Sequence, residues 1–98
     1  MAFKKAKQQV IHCLQNGNVS HETRGNIDVK NLLATGAVTI DEVISIILRA
    51  KGGDYSCSPH HFDSNVPMHL IKTVNSGKTW YIKWYILDPD AVFISVHN

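Results

Sequence analysis

Residues 79–87 read TWYIKWYIL, nine positions that alternate without a break. Trp80, Ile82, Trp84 and Ile86 fall on one face, and Tyr81, Lys83 and Tyr85 on the other. Period-two alternation marks a strand with one buried face. It therefore requires a sheet that something else in the chain must cover on one side. Residues 91–97 (AVFISVH) alternate as well, and Asp88-Pro89-Asp90 between the two runs is turn chemistry.

The apolar pattern selects the pairing. Setting Leu87 beside Ala91 brings Ile86 to Val92, Trp84 to Ile94 and Ile82 to Val96. A one-residue slip sets Trp84 against Ser95, and a slip of that kind turns a strand to the wrong face. The same register puts Tyr81 beside His97 and Lys83 beside Ser95. Upstream, residues 66–74 (VPMHLIKTV) form a third strand, joined through a three-residue loop, Asn75-Ser76-Gly77, that ends in a left-handed glycine. Pairing Val74 with Lys78 then places Ile82 by Leu70, Trp84 by Met68, Lys83 by His69 and Tyr81 by Ile71. On this reading His69, Tyr81, Lys83 and His97 converge on one solvent-facing surface.

The first half of the chain supplies the cover. In residues 2–15, Phe3, Ala6, Val10, Cys13 and Leu14 keep the spacing of one helical face, and Gly17 stops the helix. Residues 18–27 show no period and read as a loop. Asp28 caps a short helical segment that ends at Gly36. Thr39 and Glu42 form a capping box ahead of a second long helix. That helix runs to about Ala50, and Ile40, Val43, Ile44, Ile46, Ile47 and Leu48 make it apolar nearly all round, the mark of a buried helix. Gly52-Gly53 ends it. A short extended piece from Tyr55 to Ser58 and a Pro-His-His-Phe loop lead into the sheet. Helices first and strands after predict an α+β fold in one domain, 1–98, with N-terminal helices packed on one face of a C-terminal antiparallel sheet.

Ninety-eight residues suffice for one small core. No apolar run approaches the ~20 residues a membrane span needs, and the lysines at the N-terminus are not followed by the apolar stretch of a secretory signal. Cys13 and Cys57 are too few for a disulfide framework and read as reduced thiols of a cytoplasmic protein. The net charge of +2 permits a nucleic-acid partner without arguing for one. Lys72, Lys78 and Lys83 nevertheless concentrate in the sheet region, and four of the six histidines follow residue 59.

In their order and spacing, several motifs resemble one family. Gln15-Asn16-Gly17-Asn18-Val19 closes the first helix, and Arg24 follows it. Asp54-Tyr55 comes after the apolar helix, Tyr81-Ile82-Lys83 lies in the central strand, and Ile94-Ser95-Val96-His97 closes the chain. This pattern is similar to the motility quorum-sensing regulator (MqsR) toxins of bacterial toxin–antitoxin pairs, within the wider RelE-like group. The resemblance implies a metal-independent endoribonuclease, without cofactor, that cleaves messenger RNA and is neutralised by a cognate antitoxin protein. It aligns Tyr81 and Lys83 with active-site strand residues and sets His97 where a basic residue is expected. One position departs: the family has a lysine after the tyrosine of the Asp-Tyr element, and this chain has Ser56.

Metal-free RNA cleavage needs a base for the 2′-hydroxyl, positive charge at the phosphate and an acid for the leaving oxygen. Histidine titrates near neutrality and suits the first and last tasks. The expected catalytic set is therefore His69, Tyr81, Lys83 and His97. Arg24, His60, His61, Lys72 and Tyr85 are expected to bind the substrate, Arg24 at phosphate and Tyr85 by stacking on a base. The plainer readings are a sheet face of ordinary polar residues, a solvated loop around Arg24, and packing for Tyr55 and Tyr85. His60, His61, Cys57, Asp63 and His69 are of metal-ligating types, but zinc ligands usually pair at more regular spacings. A different class remains open beside the enzyme: a non-catalytic module, whether antitoxin, immunity protein or degenerate toxin, that binds RNA or protein through the same face. Ser56 favours the module, and the histidines favour the enzyme.

Overall fold

A computed structural model describes residues 2–22, 31–59 and 65–98. Among these the elements run α1 (Ala2–Gln15), β1 (Val19–His21), α2 (Leu32–Thr35), α3 (Ile40–Arg49), a 3-10 turn (Gly52–Asp54), β2 (Tyr55–Pro59), β3 (Pro67–Asn75), β4 (Lys78–Leu87) and β5 (Asp90–His97). The fold is α+β, and the helices lie against one face of a five-stranded sheet of order β1-β5-β4-β3-β2.

The sheet is mixed rather than wholly antiparallel. Residues 18–27 were expected to be a loop, yet Val19–His21 pairs parallel with β5, Val19 opposite Ala91 and His21 opposite Phe93. Three residues are too few to show a period, so packing rather than pattern makes this strand. The chain then returns to β5 through Asn31, which bridges to Val96 and is fully buried. Its side-chain Oδ1 accepts from the Ala34 N–H at 3.0 Å and caps α2, while its Nδ2 donates to the Phe93 carbonyl at 3.2 Å. The expected cap, Asp28, lies outside the described residues.

The helix-side core follows from two periodicities meeting. α1 contributes Ala6, Val10, Cys13 and Leu14, and α3 contributes Val43, Ile46 and Ile47. The sheet contributes Ile71, Trp80, Ile82, Trp84, Ala91, Phe93 and Val96. The capping box forms as expected: Thr39 Oγ1 accepts from the Glu42 N–H, and Glu42 Oε1 accepts from the Thr39 N–H, both at 3.1 Å. Lys7 donates to the Leu48 and Ala50 carbonyls at 2.8 and 3.2 Å, so a cation meets the negative end of α3. The all-round burial expected of α3 does not occur. Leu48 is 56% exposed and Ile40 37% exposed, because only one side of the helix faces the sheet.

Two register details position everything that follows. The β3–β4 hairpin turns on two residues, not three. Ser76 (φ 55°) and Gly77 (φ 78°) both lie at positive φ, and Asn75 pairs with Lys78. This is the two-residue type I′ geometry, whose twist matches the flanking strands. The β4–β5 pairing holds as expected at Tyr81–His97, Ile82–Val96 and Lys83–Ser95, then shifts between Lys83 and Trp84. Ile94 is left unpaired as a bulge, so Phe93 rather than Ile94 opposes Trp84. Phe93 joins the helix-side core, and Ile94, although buried, stays outside it.

Candidate functional site

The sheet face opposite the helices carries Tyr81, Lys83 and His97 of the expected catalytic set. Across three adjacent strands, Lys72, Tyr81 and His97 form one row, with Tyr81 directly opposite both neighbours. The Tyr81 and His97 rings stack with centroids 5.4 Å apart and planes 10° apart. The Lys72 ammonium sits 5.4 Å from the Tyr81 ring centre on its other flank, a cation–π arrangement. The next row is Ser56, Leu70, Lys83 and Ser95. Lys72 is exposed, and Tyr81, Lys83, Ser95 and His97 are half-buried, open to solvent without being loose.

Beyond these rows the open face turns apolar. By alternation Tyr85 lies here with Val92 and Met68, and the last two are buried. The face thus grades from cationic and aromatic at one end to greasy at the other, rather than being polar throughout. Asp90 supplies an acid at the apolar end of β5, where it accepts from the Ser20 hydroxyl at 2.8 Å. Among the described residues neither Lys72 nor Lys83 has a carboxylate partner, so both charges are available to an anionic ligand.

His69 is the principal correction. The two-residue hairpin moves β3 by one position, and every β3 side chain changes face. His69 pairs with Trp84 instead of Lys83, on the helix side. Its ring stacks between Tyr55 (5.9 Å, 27°) and Trp84 (5.3 Å, 23°), and its Nδ1 meets the Tyr55 hydroxyl at 2.7 Å. Burial lowers its pKa and favours the neutral ring. The residue brought to Tyr81 is Lys72, not Ile71. The four-residue catalytic constellation therefore does not assemble. Tyr81, Lys83 and His97 share the open face, joined by Lys72, and His69 lies beneath it.

Arg24, His60 and His61 lie outside the described residues. So does Asp63, which with His60 and His61 makes up most of the zinc-like set; Cys57 and His69 of that set do sit opposite one another. Among the described residues no group of three or more histidine, cysteine or acidic side chains is placed to hold a metal ion, and no helix is long and apolar enough to cross a membrane. The sequence reading missed the Tyr55–His69 pair. The signal available was the Ser-Gly dipeptide, a turn marker in its own right, which would have fixed the shorter hairpin. No protein-family model and no curated protein matches this sequence.

Proposed function

We propose that the chain is a small metal-independent endoribonuclease, a toxin of the motility quorum-sensing regulator type, working on RNA laid across the open face. The reading rests on one observation: Lys72, Tyr81 and His97 stand in a continuous row, with Lys83 in the next row, and no carboxylate balances either lysine among the described residues. Two uncompensated ammonium groups attract a phosphodiester. A half-buried imidazole beside them offers a ring nitrogen as proton acceptor, and an aromatic pair offers a surface for a base to stack on.

In this mechanism His97 takes the proton of the ribose 2′-hydroxyl as its oxygen bonds to phosphorus. Lys83 and Lys72 offset the charge that builds on the phosphoryl oxygens. The bond from phosphorus to the 5′-oxygen breaks, and the Tyr81 hydroxyl gives that oxygen a proton. The products are a 2′,3′-cyclic phosphate and a free 5′-hydroxyl, and the proton on His97 returns to Tyr81 through solvent. Ser56 stands in the row of Lys83 but carries no charge. Lys72, one row away, takes the part of the lysine that the family resemblance leads one to expect there. A cognate antitoxin protein would silence the enzyme by covering this face.

The second reading, a non-catalytic RNA- or protein-binding module, is favoured by the removal of His69, which leaves His97 as the single histidine on the described part of the face. Incubating the purified chain with end-labelled RNA in excess EDTA separates the two. Cyclic-phosphate products formed in the chelator support the enzyme. Bound but intact RNA supports the module. Cleavage that appears only after a divalent ion is added back contradicts the mechanism.

A further inference from the structure

On the helix side of the sheet, a cavity of about 360 Å³ opens between α1, the edge strand β2 and its neighbour β3. Its size is that of a small-molecule site. Four of the groups lining it are chemically active: Lys5, Tyr55, Cys57 and His69; Ile86 and Pro67 supply apolar wall. Cys57 and His69 are directly opposed in the β2–β3 ladder, a relation that sets Cβ atoms about 4.5–5.5 Å apart. Tyr55 precedes Cys57 by two residues, so strand alternation puts both on this face. Its hydroxyl bonds to His69 Nδ1 at 2.7 Å. Burial first, and then hydrogen bonding and repulsion from the Cys57 sulfur, push the Tyr55 phenol up to about 12. The phenol thus stays protonated and stands between a thiol and an imidazole. The two thiols of the chain differ sharply: Cys57 is exposed, whereas Cys13 is buried and burial raises its pKa.

We propose that this cluster is a thiol-addition site, in which the cavity takes a small apolar compound bearing a conjugated carbonyl and Cys57 bonds to its β-carbon. The Cys57 proton passes to the Tyr55 oxygen as the Tyr55 proton passes to His69 Nδ1. The sulfur lone pair forms the S–C bond, and the alkene pair shifts to the carbonyl as an enolate, whose oxygen the Lys5 ammonium faces. The proton on His69 returns through Tyr55 to the α-carbon. The sum is addition of S–H across one double bond, with no oxidant or reductant.

The test is the rate of N-phenylmaleimide addition at each cysteine, followed by peptide mapping, in the native chain and in the same chain unfolded in urea at equal pH. Positioned proton transfer contributes about 10²–10⁴-fold to such steps. Native Cys57 is therefore expected to react at least about tenfold faster than unfolded Cys57, while native Cys13 stays protected. Tyr55→Phe keeps the ring that packs against Phe3 (5.3 Å between centroids) but removes the hydroxyl. It is expected to bring Cys57 down to the unfolded rate. N-ethylmaleimide, without the aryl group, is expected to show a smaller native advantage. A native rate no greater than the unfolded rate overturns the proposal, as does a folded Tyr55→Phe chain that reacts as fast as wild type. Should that variant unfold, reactive Cys13 will report it, and the wild-type comparison still decides.

Discussion

Ser76 holds a backbone conformation that serine does not favour, at φ 55° in the first central position of the β3–β4 turn. The left-handed region costs an ordinary L-residue about 1–2 kcal/mol, and Asn-Gly is the preferred pair for this turn. Ser76→Asn is therefore expected to stabilise the chain by about 0.5–1 kcal/mol in urea denaturation, recovering part of that cost. No change, or a loss, would indicate the three-residue loop instead. This one residue also decides how legible the site was. Strand alternation reads the faces of β4 from the sequence without ambiguity, but the face of each β3 side chain depends on loop length. A loop one residue shorter put Lys72 rather than Ile71 beside Tyr81 and turned His69 away from Lys83. Asn31 teaches the same lesson in a different way. A fully buried asparagine that bonds α2 and β5 together has no periodic signature, because its partners are brought to it by folding. Asn31→Leu would leave the Ala34 N–H without its cap and the Phe93 carbonyl with the Glu22 N–H in place of two donors. It is expected to cost about 1–3 kcal/mol, the penalty for unsatisfied buried groups, read as a fall in urea midpoint.

At the scale of elements, local signals and packing had unequal voices. The start of α3 was readable because the capping box is a contact between residues three apart. Thr39→Ala is expected to cost about 1 kcal/mol, seen as a lower melting temperature with the far-ultraviolet circular dichroism of the folded state unchanged. What α3 buries was not readable, since Leu48 and Ile40 are as apolar as Ile46 and only the sheet's position decides which faces inward. The bulge at Ile94 follows the same rule. Perfect alternation along 91–97 argued for unbroken pairing, yet the shift between Lys83 and Trp84 puts the larger Phe93 ring in the core, 6.4 Å from the Trp84 ring. The far end of the β4–β5 ladder keeps the expected register, and Tyr81 with His97 keeps its place.

Taken whole, the molecule separates two chemistries by the thickness of one sheet, with a cationic row outside and a half-buried His69, its pKa lowered by burial, inside. Burial also lowers the pKa of His21, which lies beneath the other edge near Phe93. Above about pH 6.5 both histidines are neutral whether the chain is folded or not. As pH falls below that value the unfolded chain binds protons that the folded chain resists, so stability falls with pH until the lowered folded pKa values are reached. Melting temperatures are therefore expected to drop between about pH 7 and about pH 5, and the drop to shrink in His69→Gln, which cannot titrate. The same variant, paired with His97→Ala, tests the proposal that RNA is cleaved on the open face. In single-turnover cleavage of labelled RNA, run below both melting temperatures, His97→Ala is expected to lose about 10²–10⁴-fold, the usual worth of a general base, while His69→Gln cleaves at close to the wild-type rate. The reverse result, with His69→Gln inactive and His97→Ala unimpaired, would contradict catalysis on the open face.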